Sequence, residues 1–235
     1  MEQNKIACVT FTNKGYIDYT LNLINSIVKN NVDLNLTVYT VDDESKNYLL
    51  NLPVEIKSLN KSFMKTNKFV DFHSKDFGYM MLYKFEMIYE SLQKNDYVLY
   101  IDGDIVIKSN IINYLMDNIG SKDMLIQNDH NPDKPNILNL CAGFMFITSN
   151  DKTLKFFNPK NVDVEKLVNY SHHDQTYLNL NRNRFDYGIL PLKDFSNGPY
   201  FYNNFGNYNP KLIHFNFLVG DQKKNKIKKF NEWYN

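Results

Sequence analysis

In the segment VLYIDGDIVI, Asp102 and Asp104 flank Gly103 at the end of an apolar run. Two carboxylates two positions apart, with a glycine between them that allows a sharp turn, can present both side chains to one hard divalent cation. Such a cation would in turn hold phosphate oxygens. His214, inside the late segment LIHFNFLVG, is a candidate third ligand as a neutral imidazole. The turn that follows, Gly220, Asp221, Gln222, Lys223 and Lys224, offers a backbone amide and an ammonium to phosphate. Each feature has a plainer alternative: acids solvating a strand end, a histidine satisfied in the core, an exposed basic turn.

The elements that must position these residues are readable from hydrophobic period. Residues 6–11 read as a buried strand, 16–29 as a helix and 36–41 as a second strand, a βαβ opening. A short helix from Asp42 through Leu50 is broken at Pro53, and 54–59 offers another strand. Strands separated by helices of this length imply a parallel sheet. Residues 60–78 have no clean period and read as a long surface loop. A helix is expected at 79–92, then a strand at 98–101 that ends in the two carboxylates. At the carboxyl ends of strands in an open parallel sheet lies the ligand crevice. Further on, 111–116 reads as a helix, 124–127 as a strand, 128–136 as a turn, and 141–148 as a strand buried on both faces. Short helices are expected at 154–157, 164–168 and Asp174–Asn181, an aromatic loop at 195–210, a strand at 213–218 and a lysine-rich terminal helix. Ile227, Phe230 and Trp233 form a stripe on that helix, better suited to docking on the protein's own core than to a membrane or partner. No repeat or linker divides the chain, so 1–235 is expected to be one domain.

Composition excludes several function classes. The chain has 235 residues, 43% of them hydrophobic, enough for one sizeable core. Its 27 basic and 26 acidic side chains nearly cancel, which argues against nucleic acid or anionic lipid as a partner. Cys8 and Cys141 lie in apolar runs without metal or disulfide spacing, so both are expected to be core thiols in a reducing compartment. No signal peptide or apolar stretch of about 20 residues is evident, and a cytoplasmic enzyme is expected. Abundant Asn, with Lys far exceeding Arg, fits an AT-rich genome such as that of a large DNA virus.

Taken in order, VTFTNKGY, LYKFEMIYESL, VLYIDGDIVI, LCAGFMFI, Asp174-Gln175 and HFNFLVG resemble the nucleotide-diphospho-sugar transferases of glycosyltransferase family 77 and, more distantly, family 8. The resemblance spans nearly the whole chain. It implies the GT-A fold, an α/β architecture with a mostly parallel central sheet and the nucleotide bound at its Rossmann-like N-terminal half. It also implies Mn²⁺ or Mg²⁺, a nucleoside-diphosphate sugar donor, more readily UDP than GDP, and a glycan or other hydroxyl acceptor. Carried onto this sequence, it puts Thr10, Thr12 and Tyr16 beside the base, and Asp102 with Gly103 at the ribose and metal. Asp104 and His214 would complete the metal site. Lys84, with Gly220 and Lys223 or Lys224, would meet the phosphates, and Asp174 and Gln175 would face the donor sugar. Related transferases often carry a polar residue where Cys141 precedes Gly143. The short chain leaves acceptor identity and oligomeric state open.

The chemistry follows from charge. Breaking the bond from the anomeric carbon leaves negative charge on a diphosphate, which a divalent cation and a lysine stabilise. The loop at 60–78 and the aromatic segment at 200–208 are candidate covers that would exclude water. The resemblance implies retention of anomeric configuration, whereas an inverting route would need a base such as Asp174 or His173. Two other readings compete. Apolar residues followed by Asp102 and Asp104 also fit the nucleophile strand of a haloacid-dehalogenase-like phosphatase, although that motif normally opens its domain. A non-catalytic module that keeps a nucleotide-sugar pocket is the other.

Overall fold

The computed structural model describes residues 4–59, 70, 74–133, 137–171 and 173–235. β1 (Ile6–Thr12) leads into helix α1 (Ile17–Lys29) and β2 (Leu36–Thr40), followed by α2 (Asp43–Leu49) and β3 (Glu55–Ser58). The long α3 (Lys75–Leu92) precedes β4 (Tyr97–Ile101), and the chain turns at 102–104 into the short β5 (Ile105–Ile107). Next come α4 (Ile112–Ile119), β6 (Met124–Asn128) and β7 (Leu140–Thr148). The C-terminal part holds α5 (Asp151–Phe157), α6 (Asp174–Asn181), β8 (Tyr187–Leu190), β9 (Phe195–Asn197), α7 (Gly198–Asn204), β10 (Leu212–His214) and α8 (Gly220–Lys229).

Seven strands form one sheet in the order β3-β2-β1-β4-β7-β6-β8. Pairings β1 with β2 and β4, β2 with β3, and β6 with β8 are parallel, while β7 runs antiparallel to β4 and β6. The α/β class and mostly parallel sheet expected from the sequence are therefore present. The order reverses at β1 and β4, which makes their carboxyl ends a topological switch point. Apolar side chains fill both faces. Leu23, Ile24, Leu99, Leu115 and Phe144 pack on one side, and Leu82, Met87, Ile88, Phe156 and Tyr177 on the other.

A second sheet, β5-β10-β9, sits beside the first. β10 pairs antiparallel with β5 in the register Ile213 to Val106 and His214 to Ile105. The Phe215 amide donates to the Asp104 carbonyl at 3.1 Å, and the Asp102 amide to the Gly143 carbonyl at 2.7 Å. These bonds join the acidic turn, β7 and the strand that carries His214.

Several expectations need correction. Residues 195–210 are no open aromatic loop: Phe195 and Phe201 are buried, and Asn197 caps α7 by accepting from the Tyr200 amide at 3.0 Å. The strand expected over 213–218 is only Leu212–His214 and belongs to the second sheet. Residues 75–78 are the first turn of α3, which Ser74 caps through the Phe77 amide, and not loop. The remainder of the expected cover, apart from Val70 and Ser74, lies outside the described residues. The 164–168 segment runs into a wide π-type turn over Lys166–Ser171. Ile227 is buried, with Phe230 and Trp233 packed on the same cluster as Val106, Ile213 and Phe215, so the C-terminal stripe docks on its own core. Among the described residues, no helix is long and apolar enough to cross a membrane.

Candidate active site

A cavity of about 580 Å³ opens at the carboxyl ends of β1 and β4. Its floor is the acidic turn. Ligand atoms of Asp102, Asp104 and His214 lie within 4.8 Å of one another, and His214 Nε2 is 3.2 Å from Asp104 Oδ1. On its far side the ring meets Gln127 Oε1 at 2.8 Å, with Cys141 Sγ 3.4 Å from the same Nδ1. Donation from Nδ1–H to the Gln127 carbonyl assigns the tautomer and leaves the Nε2 lone pair facing Asp104. A lone pair and a carboxylate oxygen at that distance repel unless a proton or a cation lies between them. Two hard oxygens and one imidazole suit a divalent ion, so the residues present fit the group that the sequence implies.

The electrostatics agree. Burial pulls the His214 pKa down, but the Asp104 carboxylate and Cys141 outweigh it and hold it well above the usual histidine value. Burial pushes the Asp104 carboxyl up, while Lys223 and His214 more than reverse that and keep it far below the usual range. Burial, together with the neighbouring Asp102 carboxylate, raises the Tyr100 phenol, so Tyr100 stays neutral and donates to Asp102.

The structure separates residues that adjacent positions in the sequence could not. Lys223 pairs with Asp104 inside the cavity, while Lys224 reaches outward to Asp18 at 2.7 Å and lies over the Trp233 ring. Consecutive helical positions differ by about 100° in direction, so only one can face the site. Lys84, almost fully buried on α3, pairs with Asp174 and stands 3.4 Å from Asp102. Burial lowers the Lys84 pKa, yet Asp102 and Asp174 raise it above the ordinary lysine value, so the side chain is a cation. Thr12, Tyr16, Gly103, Gln175 and Gly220 line the cavity; Thr10 does not, being buried within β1. Tyr16 donates from its hydroxyl to the Val70 carbonyl at 2.7 Å. Gly220, at φ +51°, turns the chain into α8.

Sequence reading missed the groups that brace the site. Asp129, just past β6, is buried and accepts from Gln175 Nε2 at 2.8 Å, Asn139 Nδ2 at 2.9 Å and Asn216 Nδ2 at 2.5 Å. Burial raises its pKa despite those donors. An acid directly after a strand was the available signal, the same one that marks Asp102. Gly143 has a stricter role: a Cβ there would fall 2.4 Å from His214 Cε1 and 2.5 Å from Asp102 Oδ2. Only glycine lets β7 pass this close to the acidic turn.

The family model described as nucleotide-diphospho-sugar transferase matches residues 31–230. The chain belongs to that family. This membership displaces the phosphatase reading of the Asp102 strand. The chain is 24% identical, over 293 aligned positions, to UDP-galactose:fucoside alpha-3-galactosyltransferase of Dictyostelium discoideum; the match takes in 99% of the chain and 43% of that relative's length. Among solved structures, the galactosyltransferase LgtC in complex with donor and acceptor sugar analogues superposes with a TM-score of 0.66 at 11% identity, covering 97% of this chain and 95% of that one. The glycosyltransferase GlyE of Streptococcus pneumoniae gives 0.63 at 16% identity, over 99% and 64%. Mouse xyloside xylosyltransferase 1 gives 0.52 at 12%, over 90% and 98%. At these identities the likeness shows the GT-A-like fold of the chain.

Proposed function

We propose that the protein transfers a hexosyl or pentosyl group from a UDP-sugar to a glycan or other hydroxyl acceptor, with Mn²⁺ or Mg²⁺ at Asp102, Asp104 and His214. The convergence of those three side chains at the switch point carries this reading. UDP-galactose is the first donor to test, because the Dictyostelium relative is named for it. Placement in glycosyltransferase family 77, with family 8 more distant, rests on the ordered motif set.

When bound, the divalent ion supplies Lewis-acid stabilisation of the diphosphate as charge builds on it. The chain's own residues account for the rest. Lys84 and Lys223 hold two ammonium groups beside the acidic turn, where a diphosphate would gather negative charge. Gln175 donates one N–H of its side-chain amide to Asp129, which leaves its carbonyl oxygen and second N–H for the donor sugar. Met80, Met81 and Ala142 give the cavity apolar walls that discourage water. Retention is supported by the state of the two candidate bases. His173 caps α6 through the Thr176 amide and also meets the Thr176 hydroxyl at 3.0 Å, while Asp174 is paired with Lys84. Neither is disengaged to deprotonate an acceptor.

Thermal unfolding with UDP, GDP and their sugars, with and without Mn²⁺, tests the binding reading, since a ligand that binds only the folded state raises the melting temperature. UDP with Mn²⁺ should raise it most, and Asp104→Ala should abolish the metal-dependent part. NMR of UDP-galactose should then show slow Mn²⁺-dependent release of α-galactose. A shift without turnover would leave a binding module, and full nucleotide affinity of Asp104→Ala in Mn²⁺ would remove the site assignment.

A further inference from the structure

Phe217 lines the cavity, is 47% exposed and sits at φ +63°. A bulky side chain in the left-handed region is an outlier, and such backbone persists where its surroundings fix it, often at ligand sites. Asn216 does the fixing here. Its Nδ2 donates to Asp129 Oδ1 at 2.5 Å, and its Oδ1 accepts from the Gly198 amide at 2.9 Å, so both ends of the side-chain amide are engaged. Phe217 is thereby held at the cavity mouth, half-open to solvent, two positions before Val219, which also lines the cavity and is 57% exposed.

Sheet order places this ring at one end of the cavity. Thr12 ends β1, whereas Asp129 follows β6, on the opposite side of β4 and β7. Asn216 is tied to Asp129, and Gln175 donates to the same carboxylate. Phe217 therefore stands at the Gln175 end, away from β1. In the function proposed above, β1 takes the nucleoside and Gln175 meets the donor sugar; this inference rests on that reading. An acceptor hydroxyl must reach the anomeric carbon of that sugar from the open side, where Phe217 lies.

The chemistry of that end selects the acceptor class. A pyranose has a face of slightly positive C–H bonds and an edge of hydroxyls. An aromatic face, apolar and negative, suits the first, and the side-chain amides of Asn139 and Gln175 on the cavity wall suit the second. An acyclic alcohol offers no such face. We propose that Phe217 is the platform of the acceptor subsite, stacks on the C–H face of a pyranose, and thereby makes a saccharide the acceptor. Phe217 acts on acceptor binding and takes no part in bond making or breaking.

The test uses the intact protein in Mn²⁺ with the UDP-sugar that the wild type turns over, and reads UDP release. The acceptor probes are methyl pyranosides of the galacto, gluco, manno and fuco series, with glycerol as a polyol that has no ring face. At least one pyranoside should accelerate UDP release saturably, and glycerol at equal concentration should not. Phe217→Ala should raise the KM for that pyranoside about tenfold and bind UDP in calorimetry as wild type does; Phe217→Tyr should keep the wild-type KM. Phe217→Gly suits the left-handed backbone, so it should melt within about 2 °C of wild type yet share the raised KM of alanine. Weaker UDP binding by Phe217→Ala would give the ring to the base and overturn the acceptor platform. An unchanged pyranoside KM in Phe217→Ala, or a larger fall in the melting temperature of Phe217→Gly, would make Phe217 a packing residue. Glycerol matching every pyranoside, or no pyranoside accelerating UDP release, would overturn the saccharide acceptor. A wild type that neither binds UDP nor releases it from any UDP-sugar would instead fail the donor reading, a result distinct from all of these.

Discussion

Replacing Gly143 with alanine puts one methyl group where two members of the candidate metal site already stand. Ordinary contact begins near 3.4 Å, so a Cβ at 2.4 Å from His214 Cε1 and 2.5 Å from Asp102 Oδ2 is about 1 Å too close to each. Neither neighbour is a loose side-chain tip. His214 is 3% exposed and tied to Gln127; Asp102 is tied to Tyr100 and Lys84. Overpacking of this kind costs about 1–3 kcal/mol. For a chain of this size that corresponds to a melting temperature lower by about 2–12 °C. Displacing two of the three proposed ligands should weaken Mn²⁺ binding by at least the ~10–100-fold that loss of an outer-shell partner produces. Calorimetric Mn²⁺ titration in saturating UDP reads the second effect and differential scanning calorimetry the first. Gly188→Ala is the control, because its Cβ would meet the side-chain ends of Leu125 and Lys122, away from the site; its Mn²⁺ affinity should match wild type. A Gly143→Ala protein that melts within a degree of wild type and binds Mn²⁺ equally well would show that β7 does not approach the acidic turn as described.

Lys223→Met should lower UDP affinity about tenfold or more, the scale of a lost charge-assisted bond, while Lys224→Met leaves it unchanged, as titration calorimetry would show; equal losses would contradict the register of α8. Gln127→Leu removes the partner of His214 Nδ1 and should weaken Mn²⁺ binding about 10–100-fold without abolishing folding, read by the same titration with circular dichroism as the folding check. Asp123 provides a pH test away from the site. Burial raises its carboxyl, but the Asp186 amide, Lys152 and Asn150 together bring it below the usual range. Its folded pKa is depressed, so its contribution is complete above the ordinary carboxylate value and is lost as pH falls through the folded value. Asp123→Asn should therefore be less stable by about 1–3 kcal/mol near pH 7, with the gap narrowing only once pH falls below about 4 and closing below the depressed folded value in urea unfolding; a gap that persists at the lowest pH would contradict the charge argument.

The N-terminal half was legible because its period is unambiguous: β1, α1 and β2 each fill one face or both with regular apolar spacing. Asp102 and Asp104 were visible because they end an apolar strand. Their union with His214 depends on β5 and β10, two three-residue strands too short to show a period, whose pairing joins segments about a hundred residues apart. Strand alternation put Thr10 and Thr12 on one side of β1 but carries no information on depth, and only Thr12 reaches the cavity. Direction was equally hidden for β7: burial on both faces was evident from LCAGFMFI, whereas its antiparallel pairing is set by its two neighbours. The Asn-rich stretch at 195–210 misled because Asn197 serves as a helix cap and the aromatics beside it are core. Asp129 escaped notice because its partners Asn139, Gln175 and Asn216 come from three separate segments.

In the proposed site, Asp102, Asp104 and His214 grip a divalent ion that anchors a sugar-nucleotide diphosphate. Crystals grown with UDP-galactose and Mn²⁺, with anomalous data collected at the manganese edge, test it most directly. One anomalous peak is expected within bonding distance of all three side chains, with the diphosphate oxygens beside it and Lys223 turned toward them. A peak elsewhere, or nucleotide bound in the cavity while no ion touches the three residues, would contradict it.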